Sequence, residues 1–145
     1  MAAVTSGSAQ AQLPSKRVLT LEAAKQVAAA AEAEARRNNW LVSISVVDDS
    51  GQLVYFQKMD DAKLVATDIS MRKARTAVYF QGPTKALEDE VSAGRTALLP
   101  IDGFMPLQGG VLLVSGGQIV GAVGVSGVTG EQDAQCATAG ASVIK

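Results

Sequence analysis

The chain has 145 residues, the usual length of one domain, and 48% of them are hydrophobic. Its formal net charge of -1 argues against the concentrated basic surface that a nucleic-acid-binding protein needs. No apolar run reaches the roughly 18–20 residues that span a bilayer, so we expect neither nucleic acid nor membrane among its partners. The composition predicts a soluble domain with a core of small side chains.

Two residue types that carry much of protein chemistry are scarce or missing. Cys136 is the single cysteine, which excludes an intrachain disulfide and a thiolate metal cluster. Histidine is absent, and with it the commonest metal ligand and the commonest general base near neutral pH. Serine–histidine–aspartate and cysteine–histidine machinery therefore cannot be built from this chain alone, and we predict no metal ligands.

The first 15 residues differ in composition from the rest. Residues 1–15 are rich in alanine, serine and glutamine and lack a strong apolar periodicity. They also lack the basic segment followed by an apolar one that marks a signal peptide. We interpret residues 1–15 as a flexible extension, residues 16–145 as one domain, and the protein as cytoplasmic.

The first half of the domain predicts a helix, a hairpin and a second helix. Thr20 is a suitable N-cap for a helix whose apolar residues recur at helical spacing up to Asn38. Residues 40–47 are rich in β-branched side chains, and a turn cluster separates them from a second strand at 52–58. Helical periodicity returns over residues 66–80.

The second half contains a helix, a hairpin and a helix again. Pro83 opens a short helix, and residues 95–110 form a long loop with glycines and prolines. Strands at 111–115 and 118–125 flank a Gly-Gly turn, and a last helix follows from about residue 131 to 144. The order helix, hairpin, two helices, hairpin, helix predicts an antiparallel sheet with helices packed on it, an α+β fold.

Several local motifs occur in an order that resembles the GlcG/HbpS-like family, which is sometimes labelled haem-degrading and includes the C-terminal domain of PduO-type proteins. In chain order they are V-V-D-D-S-G-Q-L-V at 46–54, K-A-R-T-A at 73–77, the pair Gly109-Gly110, and G-A-V-G-V-S-G at 121–127 leading into G-E-Q-D at 130–133. Together they cover most of the chain from Leu19 to Ile144. The resemblance implies a profilin-like α/β/α sandwich, homo-oligomers, and haem or a related tetrapyrrole as ligand.

The family's iron contact, where one is known, is usually attributed to histidine, which this chain lacks. Haem bound here would have to use Tyr55, Tyr79, a methionine or Cys136, or be held without a side-chain ligand. The cofactor therefore stays undetermined at this level, with haem as the candidate that the resemblance implies.

The candidate catalytic residues are Glu131, Asp133 and Lys73. The two acids lie in the first turn of the last helix and, being two positions apart, face different ways, so one can point into a cleft while the other caps. A desolvated carboxylate there would have a raised pKa and could act as general acid or base. Ordinary helix-start acidity is the alternative. Lys73 would pair with a carboxylate of a ligand or, equally, with an acid of the protein.

The candidate ligand-binding residues are Arg75, Asp102, Phe104, Gly109, Gly110, Ser126 and Thr129. Ser126 and Thr129 would line a small polar pocket at the start of the last helix, with tight strand packing as the alternative explanation of the glycine-rich segment. Phe104 in the long loop offers an apolar lid for a ligand or part of a subunit interface.

These observations leave three functions open. The first is a small-molecule binding protein, with haem or another tetrapyrrole as the leading ligand and a homo-oligomer as the working form. The second is a small cofactor-independent enzyme (an isomerase, lyase or hydrolase of a catabolic intermediate) with Glu131 or Asp133 as base and Lys73 or Arg75 holding the substrate's negative charge. The third is a structural or interaction module, which a fold alone does not exclude.

Overall fold

The fold is known from a computed structural model that describes residues 7–145. Residues 7–18 are exposed and contain no helix or strand. The rest of the predicted extension, residues 1–6, lies outside the described residues. The domain proper begins at Leu19, which is buried in the core.

The described residues form four α-helices and four strands in the predicted order. The helices are α1 (Leu21–Arg37), α2 (Ala66–Phe80), α3 (Thr84–Ser92) and α4 (Gly130–Ala141). The strands are β1 (Ser43–Asp48), β2 (Leu53–Lys58), β3 (Gly110–Ser115) and β4 (Gln118–Ser126), and a single 3-10 turn spans Thr96–Leu98. All strand pairs are antiparallel in the order β2-β1-β4-β3, so the predicted α+β fold is confirmed.

Small side chains let the layers approach closely. The Thr20 hydroxyl accepts a hydrogen bond from the Ala23 N–H and starts α1, as predicted. The buried face of α1 is mostly alanine and packs against α4. At their contact a side chain on Gly140 would lie 2.8 Å from the Val27 carbonyl oxygen, so only glycine fits without a shift. The result is a close-packed outer layer of α1 and α4.

The sheet is covered on both faces, which makes the fold an α/β/α sandwich. Ile44 and Val46 of β1 face the core beneath α1 and α4, whereas Val47 faces α2. The second face of β1 is buried because α2 crosses β1, β3 and β4. A side chain on Gly124 would lie 2.0 Å from the Ser70 carbonyl oxygen, so α2 rests directly on the backbone of β4.

Candidate functional site

Two adjoining cavities open at the end of the sheet where β1 begins, β4 ends, and both α2 and α4 start. The inner cavity has a volume of about 220 Å³ and reaches down to α2 and α4. The outer cavity has a volume of about 460 Å³ and lies against the segment that joins α1 to β1. Lys63, Gly127 and Val128 line both, so the two form one continuous groove.

A buried ion pair forms the floor of the inner cavity. The Lys73 ammonium donates to the Asp133 carboxylate at 2.8 Å and to the Val125 carbonyl oxygen at 3.0 Å. Both charged residues are 2% exposed. The second carboxylate oxygen of Asp133 accepts the Val128 N–H at 3.1 Å. The pair therefore ties α2, β4 and α4 together beneath the inner cavity.

The two glycines of the Gly109-Gly110 motif make room for this pair. Gly109 has φ +129, and a side chain there would lie 2.8 Å from the Lys73 ammonium nitrogen. A side chain on Gly110 would lie 2.4 Å from the Lys73 carbonyl oxygen, and the Gly110 N–H donates to the Thr84 hydroxyl at 2.8 Å. These glycines let the start of β3 pass directly over Lys73, which is a structural reason for the motif.

The pKa of Asp133 is set by opposing effects. Burial raises it above the ordinary value of 3.8, while the charge and hydrogen bond of Lys73, the Val128 N–H and the charge of Lys63 all lower it. The net direction is upward because desolvation of the carboxylate is the largest contribution. Asp133 is thus the member of the predicted acidic pair that points inward.

Two serine hydroxyls extend the polar floor along the sheet. Ser126, at the end of β4, lines the inner cavity and is 6% exposed. It lies opposite Ser43 in the antiparallel register of β1 and β4, so both side chains are on the α2 face of the sheet. The Ser43 hydroxyl is fully buried and has no hydrogen-bond partner among the described residues.

The outer cavity combines apolar walls with polar ends. Trp40 and Leu41 form one wall, and Val128 separates the outer from the inner cavity. Thr129, predicted to bind a ligand, lines the outer cavity, but its hydroxyl oxygen also caps α4 by accepting the Gln132 N–H. This completes a capping box, because the Gln132 side chain accepts the Thr129 N–H in return.

The groove carries an exposed apolar rim. Leu64 and Val65, just before α2, are 89% and 58% exposed, and Leu41 and Leu107 are 44% and 41% exposed. Leu41 lines the outer cavity, and Val65 and Leu107 line the inner one. Contiguous exposed apolar side chains around a cavity are typical of a binding surface.

Three of the predicted ligand-binding residues lie elsewhere. Arg75 and Asp102 line a polar cavity of about 350 Å³ on the far side of α2, together with Tyr79. The Arg75 guanidinium donates to the Gly51 carbonyl oxygen at 3.0 Å. Phe104 packs its ring on Phe80, with centroids 5.0 Å apart.

The remaining predicted residues divide between surface and core. Glu131 is exposed on α4 and lines neither cavity of the groove. Cys136 is fully buried, and burial raises the pKa of its thiol to about 11. Tyr55 is half-buried and packs on the core beneath α1. The structure thus brings together Lys73, Gly109, Gly110, Ser126, Thr129 and Asp133.

Trp40, Leu41 and Lys63 were missed by the sequence interpretation. The sequence assigned Trp40 and Leu41 to the first strand, but Asn39 takes a left-handed φ of 56 and the Trp40 N–H donates back to the Ala35 carbonyl oxygen. This turn lifts both side chains out of the sheet and towards the groove. The position of the single tryptophan directly after a helix-ending Asn-Asn pair was the available signal.

The described part of the chain offers no group of three or more acidic, histidine or cysteine side chains that could hold a metal ion. Over the same residues, no helix has the length and apolar character that crossing a membrane requires.

Known proteins are similar to this chain in sequence and in fold. Residues 19–142 match the family described as haem degrading protein HbpS-like. Protein GlcG of Escherichia coli K12 is 47% identical over 114 residues, which cover 79% of this chain and 85% of GlcG. A crystal structure of an HbpS double mutant from Streptomyces reticuli superposes with a TM-score of 0.85 at 34% identity, covering 99% of each chain.

A third comparison concerns a ligand complex. The crystal structure of the PduOC:haem complex superposes with a TM-score of 0.81 at 29% identity and covers 89% of this chain and 96% of that one. The family match spans nearly the whole described domain, and GlcG is 47% identical over 79% of this chain. This chain therefore belongs to the GlcG/HbpS-like family.

Proposed function

We propose that this protein binds a tetrapyrrole in the outer cavity, with the macrocycle against Trp40 and Leu41. The observation that carries the proposal is the apolar-walled groove at the end of the sheet. The outer cavity, with a volume of about 460 Å³, falls within the roughly 300–1,000 Å³ that small-molecule sites occupy. Membership of the haem degrading protein HbpS-like family, and the likeness to the haem complex of PduOC, support the same ligand class.

The chemistry of the walls fits the macrocycle and its acidic side chains. Contact with Trp40, Leu41 and Val128 would stabilise a bound apolar ring system, because each contact removes apolar surface area from water. Lys63 lies at the junction of the two cavities and is exposed there. Its ammonium is placed to pair with one propionate of the ligand.

The walls of the outer cavity supply no side chain of the types that usually ligate haem iron. The lining of the outer cavity contains no tyrosine, methionine, cysteine or histidine. Met59 lines a neighbouring cavity of about 270 Å³ that also borders Trp40 and Leu41, Tyr79 lines the polar cavity of Arg75 and Asp102, and Cys136 is fully buried within α4. We therefore propose that ring and propionate contacts, rather than a side-chain bond to iron, hold the tetrapyrrole.

A haemin titration followed by Soret absorbance tests this function. Leu41→Glu places a carboxylate on the apolar wall, where it opposes both the ring and the propionates. Val114→Glu is the matched control, since Val114 is also 44% exposed and lies on β3, away from the groove. We expect saturable binding by the wild type, a loss of at least about ten-fold in affinity (about 1.4 kcal/mol) for Leu41→Glu, and no change for Val114→Glu.

The same titration tests the absence of a side-chain ligand. We expect Tyr55→Phe, Tyr79→Phe and Met59→Leu to leave the Soret maximum and the affinity unchanged. Failure of haemin to saturate the wild type would refute the proposal, as would an equal loss in the two glutamate variants. Loss of the Soret shift in a tyrosine or methionine variant would show that the iron is ligated by that residue.

A further inference from the structure

We propose that the floor of the inner cavity is a second binding site, which takes a small uncharged α-hydroxycarbonyl compound through Lys73, Ser126 and Asp133. The site is separate from the wall that we assign to the tetrapyrrole, and the inference does not rest on that assignment. It rests on three properties of the inner cavity: its unused hydrogen-bonding groups, its balanced charge and its size.

The hydrogen-bonding capacity of the floor is only partly used. A lysine ammonium has three N–H donors, and the Lys73 ammonium uses two of them in hydrogen bonds to the Asp133 carboxylate and the Val125 carbonyl oxygen. Lys73 lines the cavity, and we infer that its third N–H is directed to an acceptor there. Ser126 lines the same cavity, and its hydroxyl makes no hydrogen bond within the described residues.

The Asp133 carboxylate completes the pattern. Each of its oxygens accepts one hydrogen bond, from Lys73 and from the Val128 N–H, and has a lone pair left. A carbonyl oxygen on the ligand would accept from Lys73 and Ser126, and a hydroxyl on the adjacent carbon would donate to Asp133. An α-hydroxycarbonyl group carries this acceptor and this donor on neighbouring atoms.

The charge of the cavity selects against ions. Its lining contains two cations, Lys63 and Lys73, and two anions, Glu88 and Asp133. Lys73 and Asp133 already neutralise each other at 2.8 Å. Lys63 is exposed where the two cavities join, so the buried floor consists of the Lys73–Asp133 pair. A charged ligand seated on this already neutral pair would keep its own charge unpaired away from water, which costs several kcal/mol. An uncharged polar ligand carries no such penalty.

The volume limits the size of the ligand. The inner cavity, at about 220 Å³, has less than half the volume of the outer one at about 460 Å³ and therefore suits a much smaller compound. The apolar part of the lining, Val65, Ile69 and Leu107, lies towards the mouth and suits a short carbon chain.

Hydroxyacetone is a suitable probe, and titration into the full chain with ¹H–¹⁵N spectra as the readout tests the site. We expect saturable shifts of the Ser126, Gly127 and Val128 amides with hydroxyacetone. Acetate and methylammonium, as charged probes of similar size, should give none. Ser126→Ala should weaken hydroxyacetone binding at least five-fold, whereas Ser92→Ala, which removes an exposed hydroxyl at the end of α3, should not.

Three results would overturn the inference: no saturable shift with hydroxyacetone, equal binding of acetate, or full affinity in Ser126→Ala. A haemin titration of Ser126→Ala separates the two proposals. Unchanged haemin binding with lost hydroxyacetone binding is the expected result. Loss of both ligands in this variant would show that the groove is a single site and would refute a separate inner one.

Discussion

Replacing Lys73 with methionine tests what holds the floor of the groove together. Methionine nearly preserves the side-chain volume, so the change removes the charge and the hydrogen bonds without opening a large void. The Asp133 carboxylate would then be 2% exposed with only the Val128 N–H as a partner. An orphaned charge of this kind destabilises a fold by about 3–5 kcal/mol.

The matched control lies one residue earlier on the same helix. Arg72 pairs with Asp68 at 2.8 Å, the same distance as in the buried pair, but both side chains are about half exposed (45% and 58%). Arg72→Met should cost only about 0.3–0.5 kcal/mol, because water screens an exposed pair along a helix. The comparison therefore isolates burial as the source of the difference.

Urea unfolding followed by circular dichroism measures both variants. We expect Lys73→Met to lower the free energy of unfolding by about 3–5 kcal/mol and the melting temperature by roughly 10 °C. The double variant Lys73→Met/Asp133→Leu should recover more than half of this loss, because apolar residues can replace a buried pair. A loss in Lys73→Met no larger than that in Arg72→Met would refute the reasoning.

Further expectations concern titration, close packing and thiol access. Because the folded pKa of Asp133 is raised, the folded state holds this proton more tightly than the unfolded chain. The stability of the wild type relative to Asp133→Asn should therefore fall as the pH rises from 3.8 through the folded pKa and stay constant above it. Urea midpoints that rise over that pH window would show that pairing with Lys73 affects the pKa of Asp133 more than burial does. Gly124→Ala should lower the free energy of unfolding by about 1–3 kcal/mol in chemical denaturation. Gly82→Ala, where the heavy atom nearest to the added side chain is 3.9 Å away, should lower it far less. Equal losses in the two variants would contradict the close packing of α2 on β4. Cys136 should react with dithionitrobenzoate at neutral pH only after unfolding, since it is fully buried with a pKa of about 11; rapid labelling of the folded protein would contradict this.

The elements with strong local signals were predictable from the sequence. The Thr20 cap, the alanine stripe and the Asn-Asn stop define α1, and the periodicity of α2 predicts its observed bounds at Ala66 and Phe80. The structure differs from the sequence prediction where tertiary contacts determine the local backbone conformation. Residues 40–42 leave the predicted strand because the chain turns back on the end of α1.

The site was predictable in its residue types but not in its pairing. Lys73 and Asp133 are 60 residues apart, and no local pattern shows that the register of β1 and β4 brings α2 and α4 together at one end of the sheet. For this reason the sequence left Lys73 open to pairing with either a ligand or a protein acid. The outer cavity escaped prediction because its wall at Trp40 and Leu41 depends on a turn geometry.

Parallel titrations of haemin and iron-free protoporphyrin IX test the central claim most directly, with intact wild type and Leu41→Glu as the two proteins. If ring and propionate contacts in the outer cavity hold the ligand, the two compounds should bind the wild type with dissociation constants within about three-fold, or about 0.65 kcal/mol. Both should be lost together in Leu41→Glu. Binding of haemin without binding of protoporphyrin IX, or retention of either in Leu41→Glu, would contradict the account.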